Sequence, residues 1–269
     1  MVSLVLPRLV SFEGPVRRSA SMTERNVVAL RRTYWIVFVS GFLEPVFFLF
    51  SIGIGVGALV GGFTLPDGRL VPYAVFVAPA MLASSAMTGA LAETTFNFFG
   101  KMKYMRLYDG IVATPVRPFE IALGELAWAM ARGTVYSAAF LGIMVAMDLT
   151  DLSRALVGLP ATVLAGFAFG AVGMMISTFM RSWQDFDLIG SVQFTLFLLS
   201  GTFVPADAYP AALRVLVEVT PLYRSVDLIR GITVAGVDSR WLVDVLYLAG
   251  LTVLGLAVAS RRMGRLLCK

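Results

Sequence analysis

No charged residue interrupts the sequence between Arg154 and Arg181, where the chain reads "LVGLPATVLAGFAFGAVGMMISTF" over residues 156–179. A helix of about 20 apolar residues crosses the hydrocarbon core of a bilayer. Runs of this kind recur at about 34–59, 71–94, 121–147, 156–179, 187–204 and 241–260. Only 14% of the residues are charged and 58% are hydrophobic; a soluble domain carries about 25% charged residues. A soluble core of this size could not hide so much apolar surface, so these runs must face lipid or one another. The expected fold is therefore all-α: residues 34–260 form a domain of six transmembrane helices. A cytoplasmic N-terminal segment, 1–33, precedes it and a basic tail, 261–269, follows it. The 187–204 run is the shortest of the six.

Basic residues set the expected direction. Arg8, Arg17, Arg18, Arg25, Arg31 and Arg32 precede the first run. Lys101, Lys103, Arg106 and Arg117 fall between the second and third, and Arg261, Arg262, Arg265 and Lys269 follow the last. The positive-inside rule puts both termini and the 95–120 connection in the cytoplasm. The net charge of +5 is thus read as orientation in the membrane rather than as a nucleic-acid surface. Residues 205–240 carry Arg214, Arg224, Arg230 and Arg240 on the expected outer side, balanced by Asp207, Glu218, Asp227 and Asp238. Residues 23–35, "TERNVVALRRTYW", set Val27, Val28, Leu30, Tyr34 and Trp35 against Arg25, Arg31 and Arg32. They read as an amphipathic helix on the cytoplasmic interface, capped by Ser21 or Thr23, or as a plain positive-inside anchor. Gly53, Gly55, Gly57, Gly61 and Gly62 lack the strand and basic partner of a phosphate cradle and suit close helix packing in lipid.

Several chemistries are excluded. The chain has no histidine, which removes His-ligated metal and His-activated nucleophiles. Its one cysteine, Cys268, can form no intrachain disulfide and reads as an incidental thiol. "MVSLVLPRLV" is too short for a secretory signal and is broken by Pro7 and Arg8. No internal repeat of the secondary-transporter kind is seen. No G-x-x-x-x-G-K-[ST] loop exists, since the Gly100–Lys101 pair is followed by Met. No cofactor or metal is expected on this chain.

Two segments are too irregular to span. Residues 95–126, "TFNFFGKMKYMRLYDGIVATPVRPFEIALGEL", mix aromatic and basic residues around one short helix. Pro115 and Pro118 disfavour helix in the residues before them and fix a bend ahead of the third span. Loops this long in compact proteins are usually functional or disordered, and this one is too aromatic for disorder. In residues 200–231, Pro205, Pro210 and Pro221 bound an apolar piece, 211–220, too short to cross. It reads as two short helices that dip into the outer leaflet and return, or as a loop lying on the surface.

Charges inside spans are functional candidates. Glu44 lies about ten residues into the first span and Arg132 about eleven into the third, so both reach a depth of about 15 Å. An ion pair between them is expected. Glu125, two turns from Arg132 on the same face, is the competing partner, and separate snorkelling of each charge is the plain alternative.

"LYDGIVATPVRPFEIALGELAWAMARG", "LSGTFVPADAYPAALRVLVEVTPLYRSVDLIRG" and "SGFLEPVFFLFSIGIGVG" together resemble the characteristic stretches of ABC-2 type transporter permeases. The resemblance is to the group of nodulation-factor (lipo-oligosaccharide) and daunorubicin-type drug exporter permeases, and it covers nearly the whole chain in order and spacing. It implies a dimer with a second permease copy or a paralogue, served by two copies of a separate ABC-type ATPase that holds ATP and Mg. It further implies a coupling helix that seats in the ATPase: Lys101, Lys103, Tyr104, Met105, Arg106, Leu107, Tyr108 and Asp109, with Thr114, Pro115, Arg117 and Pro118 as its exit. The family's extracellular gate maps onto Pro205, Tyr209, Pro210, Pro221, Tyr223, Asp227 and Arg230.

The expectation is a permease subunit, not an enzyme, in the bacterial cytoplasmic (inner) membrane. It would export an amphiphile such as a drug-like molecule, lipid or lipo-oligosaccharide, with membrane lipid and the ATPase as partners and no nucleic acid. The alternative is a stand-alone secondary transporter or channel, which would want a carboxylate relay at the bilayer centre. The apolar span surfaces suit an amphiphile with an alkyl or polyketide part, and equally suit helix packing.

Overall fold

The computed structural model describes residues 47, 49–60, 62–64, 68–236 and 240–267. The expected interfacial helix at 23–35, Glu44, most of the first span and Cys268 lie outside these residues. Among the described residues the first span is represented by a π-helical segment, Leu49–Val56, and a short helix α1, Gly57–Val60. Antiparallel strands β1 (Gly62–Thr64) and β2 (Leu70–Pro72) follow, with Phe63 opposite Val71. This hairpin was not anticipated. Its signal is the Pro66-Asp67-Gly68 turn sequence, in which Gly68 takes φ 82°.

The other described elements are helical. They are α2 (Tyr73–Ala92), α3 (Leu107–Val112), α4 (Pro118–Ala146), α5 (Leu152–Ser177), α6 (Asp185–Leu198), α7 (Ala211–Val219), α8 (Pro221–Arg230) and α9 (Trp241–Leu267). Four stretches are long and apolar enough to cross a membrane: Tyr73–Tyr104, Pro118–Ala146, Leu152–Ser177 and Trp241–Leu267. They match the expected second, third, fourth and sixth spans. The expected fifth, 187–204, is instead the 14-residue α6. At 1.5 Å per residue it is about 21 Å long, against about 30 Å for a bilayer core. It stops at "SGTF" because Gly201 takes the left-handed φ of 67° and the Ser200 hydroxyl donates to the Phe197 carbonyl (2.7 Å).

Two other boundaries differ. The second span, expected to end at 94, continues to Tyr104 through π-helical segments Glu93–Asn97 and Gly100–Tyr104. Such segments admit one extra residue per turn. Inside the first of them the hydroxyls of Thr94 and Thr95 donate back to the carbonyls of Ala90 (2.8 Å) and Leu91 (2.5 Å). The helix stops where Arg106 turns left-handed, at φ 46°. Consequently the short helix expected at 101–109 is Leu107–Val112, and Lys101–Tyr104 belong to the long helix before it. At the other end, α9 runs to Leu267, so Arg261, Arg262 and Arg265 are helical rather than a separate tail.

The Pro-rich bend has a clear local cause. Pro118 opens α4 at a position where its missing N–H costs nothing. The Glu120 carboxylate accepts from the Arg117 backbone N–H (2.9 Å), satisfying one of the orphan donors at the helix start.

At the centre of the bundle, α5 touches α2, α4, α8 and α9. Its apolar face is built of small residues: Ala161, Ala165, Ala168 and Ala171 are buried, with Gly158, Gly166, Gly170 and Gly173 among them. In lipid there is no hydrophobic force between helices, so close backbone approach and dispersion do the work. Backbone meets backbone at Gly255 of α9, where a Cβ would lie 2.7 Å from the carbonyl carbon of Ala171. Backbone cannot step aside as a flexible side chain can. Gly255→Val should therefore lower the yield of monodisperse permease in mild detergent several-fold, overpacking of this kind costing about 1–3 kcal/mol or more. Gly250→Val on the same helix, where a Cβ meets nothing within 4 Å, should leave the yield unchanged.

Candidate functional site

Three groups of residues converge in this fold, one at each end of the bundle and one between. The first is the elbow around α3. Tyr108 is fully buried, its ring 5.4 Å from that of Phe98. Leu107, Ile111 and Val112 pack beside it on the core. Around this anchor Lys103, Tyr104, Met105, Arg106 and Asp109 are exposed, as are Thr114, Pro115 and Arg117, and Met105 is 74% exposed. Lys101 is not part of the exposed set, because it pairs with Glu125 of α4 (2.7 Å). Lys103 donates to the Arg181 carbonyl and lies 5.4 Å from the Phe99 ring centre. An aromatic cluster of Phe96, Phe99, Tyr104, Trp183 and Phe186 fixes the start of α6 to the end of the long helix. At the same end Arg262 of α9 stacks over Phe179 (3.6 Å) and donates to the Thr178 carbonyl (3.3 Å) at the C-terminus of α5. A cation there complements the negative end of the helix.

The second group sits between the two ends. Arg132 is ion-paired with Glu93, and Tyr136 lies one turn on, 6.0 Å from its guanidinium. The expected partner Glu44 lies outside the described residues. The competing partner, Glu125, is not bonded to Arg132 but to Lys101. Glu93 escapes a sequence reading because the second span appeared to stop at 94, which would place a carboxylate cheaply at a helix end. Since the helix runs on to Tyr104, Glu93 is an interior charge, only 14% exposed. The two pairs join α2 and its continuation to α4 at two levels, and their polarity alternates. A cavity of about 590 Å³ opens beside the Glu93–Arg132 pair, walled by α2, α4, α5 and α6. Across it the Gln193 amide of α6 donates to the Thr88 hydroxyl of α2 (2.8 Å).

At the opposite end lies the third group. Pro205 and Tyr209 bracket a 3-10 turn, Ala206–Ala208, and Pro210 and Pro221 open α7 and α8. Two short helices were expected over about 205–230, and α7 and α8 occupy that stretch. Thr220 caps α8 by accepting from Tyr223 N–H (3.3 Å). Arg230 donates to the carbonyls of Phe76 (3.2 Å) and Gly201 (3.0 Å) and stacks over the Phe76 ring (3.9 Å). Burial pulls its guanidinium down to about 10, with Asp227 acting in the opposite sense, so it stays charged at neutral pH. The ring of Tyr223 packs against Gly201, and burial pushes its hydroxyl up to about 12. Arg214 pairs with Asp207 (2.7 Å) and Glu218 (2.7 Å); the hydrogen bond from Arg214 holds Glu218 below its usual range. Thus Tyr223 and Arg230 meet at the Gly201 turn, whereas Pro205, Tyr209 and Pro210 form the other arm.

Sequence reasoning missed a clasp at the hairpin end. The backbone carbonyls of Thr233, Val234 and Ala235, at the end of the π-helical segment Gly231–Ala235, accept from Thr150 (2.8 Å), Arg154 (2.9 Å) and Arg69 (3.0 Å) respectively. Arg224 of α8 pairs with Asp244 of α9 (3.1 Å). No local pattern in the sequence joins partners so far apart.

The sequence profile of the family described as ABC-2 type transporter matches residues 19–234. The chain is 33% identical over 208 residues to "Nodulation protein J" of Rhizobium leguminosarum bv. viciae, covering 77% of this chain and 78% of the relative. It is 32% identical over 209 residues to the protein of the same name in Rhizobium leguminosarum bv. trifolii, with 77% and 78% covered. It is 26% identical over 193 residues to "Inner membrane transport permease YadH" of Escherichia coli K12, with 69% and 72% covered.

The Glu93–Arg132 pair makes a double-mutant cycle informative. Removing one partner strands the other charge in a low-dielectric setting, at a cost of up to about 3–5 kcal/mol when burial is complete. Glu93→Gln or Arg132→Gln alone should lower the melting temperature of the detergent-solubilised permease more than the double change does. Additive shifts would mean that the two side chains do not interact.

Proposed function

The chain belongs to the ABC-2 type transporter family, and we propose that it is the transmembrane permease subunit of an ATP-binding-cassette exporter. It moves an amphiphilic substrate out across the bacterial cytoplasmic (inner) membrane. The engine is a separate ABC-type ATPase in two copies, which carries ATP and Mg. The permease works with a second copy or a paralogue and has no catalytic residue of its own. In this reading the 34–59 run is the first span and α6 the fifth. α7 and α8 form a re-entrant hairpin on the outer side, and both termini are cytoplasmic. The gathering of Lys101, Lys103, Arg106, Arg117, Arg181, Arg261, Arg262 and Arg265 at the α3 end supports that orientation. So does the printed name of the Escherichia coli relative.

The observation that carries the reading is the elbow. Its helix is held by one buried aromatic, Tyr108, while its charged and apolar neighbours face outward. A rigid, exposed, mixed patch of this kind suits a protein partner. The chain itself has no phosphate loop, so the energy source must lie on that partner. Mechanically, force applied to α3 reaches α4 through Pro118 and the Glu120 cap. The Lys101–Glu125 and Glu93–Arg132 pairs join α4 to the long helix, so these elements respond together when the ATPases close. At the far end the Arg230 contacts tie α8 to the start of α2, giving the outer hairpin a share in the same motion.

Two measurements test this. Co-expressed with an ABC-type ATPase, the permease carrying Met105→Glu and Asp109→Arg should lose at least about tenfold in ATPase recovered on affinity purification, as expected for central interface residues. It should remain monodisperse itself. Unchanged recovery would remove the elbow as the docking site. In a Cys268→Ser background, Ala208→Cys should react with an impermeant maleimide in intact cells, and Asp109→Cys only after permeabilisation. The reverse pattern would invert the topology.

A further inference from the structure

The two ion pairs between the long helix and α4 are spaced unequally. Glu93 and Lys101 are eight residues apart, whereas their partners Arg132 and Glu125 on α4 are seven apart. An α-helix turns by about 100° per residue. Eight residues therefore overshoot two turns by about 80°, which would carry Lys101 off the face that Glu93 presents to α4. Seven residues fall only about 20° short. The wide turn at Glu93–Asn97 makes up the difference. There the Phe98 N–H bonds to the carbonyls of Glu93, five residues back, and Thr95, and not to that of Thr94, so the turn takes in one extra residue. With that residue absorbed, the phase is that of seven residues, and Lys101 comes round to Glu125 (2.7 Å). The second wide turn, Gly100–Tyr104, begins one residue before Lys101 and leaves this phase nearly unchanged.

A turn of this kind takes from a carbonyl its usual donor, and α5 is shaped to receive it. The Thr94 carbonyl, which would accept from Phe98 in an α-helix, accepts instead from the Ser177 hydroxyl (3.0 Å). That hydroxyl belongs to a buried side chain and also faces the carbonyls of Gly173 (3.1 Å) and Met174 (2.9 Å) in its own helix, so its one proton serves three acceptors. One turn back, Gly173 makes room: a Cβ there would lie 2.4 Å from the Thr94 hydroxyl. The hydroxyl cannot swing aside. It stands on a β-branched side chain with few rotamers and donates to the Ala90 carbonyl (2.8 Å). We propose that Thr94, Gly173 and Ser177 are positioning residues for the elbow. The turn they hold brings Lys101 onto Glu125, and every residue beyond it, α3 included, takes its direction from that turn. The consequence for ATPase docking rests on the exporter reading; the register does not.

The test uses the full-length permease co-expressed with an ABC-type ATPase, read by its melting temperature in detergent and by the ATPase recovered on affinity purification. Double-mutant cycles with Lys101→Gln and Glu125→Gln, and with Glu93→Gln and Arg132→Gln, report each pair. Deleting Asn97, which is exposed in the turn, removes the extra residue and lets the helix run as α without moving Lys101. Both couplings and the ATPase recovery should persist. Inserting an alanine after Asn97 should rotate everything beyond it by about 100°. The Lys101–Glu125 coupling and the ATPase should then be lost, and the Glu93–Arg132 coupling, ahead of the turn, kept. A turn that served stability alone would not separate the two pairs. Gly173→Ala should lower both the melting temperature and the ATPase recovery, and deletion of Asn97 should restore both. A deletion variant that does not fold, or folds without the Lys101–Glu125 coupling, would overturn the proposal. So would an insertion that keeps this coupling, or a Gly173→Ala variant with no defect or with one the deletion leaves untouched. Should the insertion variant fail to fold, the deletion and its rescue of Gly173→Ala decide alone. Couplings as expected, with no ATPase recovered even by the unaltered permease, would sink the exporter reading alone.

Discussion

At Gly255 the backbone of α9 meets the backbone of α5 at Ala171 with no side chain between them, and most of the architecture depends on that contact. Water is absent from the interior of a bilayer, so apolar side chains gain nothing by leaving it for one another. What remains is the dispersion energy of atoms brought close, which falls away over fractions of an ångström. α5 meets this condition with alanine and glycine on the faces it turns to its neighbours. On the α2 and α4 sides its glycines are filled by the partners' own side chains: Met130 lies over Gly166, Leu126 over Gly170, and Leu91 over Gly173. A helix with larger residues there would hold its neighbours too far apart for the polar contacts at either end to form.

Between α2 with its continuation and α4 those polar contacts are side-chain ion pairs across antiparallel helices, with Lys101 facing Glu125 near the α3 end and Glu93 facing Arg132 further in. The alternation means that sliding α2 along α4 would bring like charges together, so the pairs fix register as well as distance. At the hairpin end, beside the ion pairs of Arg214 and Arg224, arginines also address backbone carbonyls, those of Phe76, Gly201, Val234 and Ala235. Carbonyls at the C-terminus of a helical segment carry partial negative charge and lack internal partners.

Much of this was legible in the residues. Four of the expected spans appear, although the second runs on to Tyr104 and the sixth to Leu267, and the three prolines of the 205–221 segment mark the starts of the turn and of the two helices. The bend before α4 follows from Pro118 and Glu120 by local chemistry alone. What was not legible depended on distance. The end of the second span was misjudged because Thr94, Thr95 and Asn97 dilute the apolar pattern, and nothing local reveals that the two threonines bond back into their own helix. That error hid Glu93, and with it the partner of Arg132. The glycines look alike in sequence; only their neighbours in space separate Gly255, which admits the backbone of α5, from Gly250, where a Cβ would meet nothing within 4 Å.

The shortness of α6 bears on the lipid around it. At about 21 Å it falls roughly 9 Å short of a hydrocarbon core about 30 Å thick. Its N-terminus is moored by the Phe96–Trp183–Phe186 rings, which belong at the headgroup level, and its C-terminus ends on the Gly201 turn held by Arg230. In the proposed six-span topology α6 crosses the bilayer, neither mooring can travel to the other face, and the bilayer must thin to meet them. Hydrophobic mismatch of this size costs a fraction of a kcal/mol per ångström. Acyl-chain length thereby becomes a variable acting directly on a helix that walls the cavity beside the Glu93–Arg132 pair, and a membrane of shorter lipids relieves a load that a thicker one imposes.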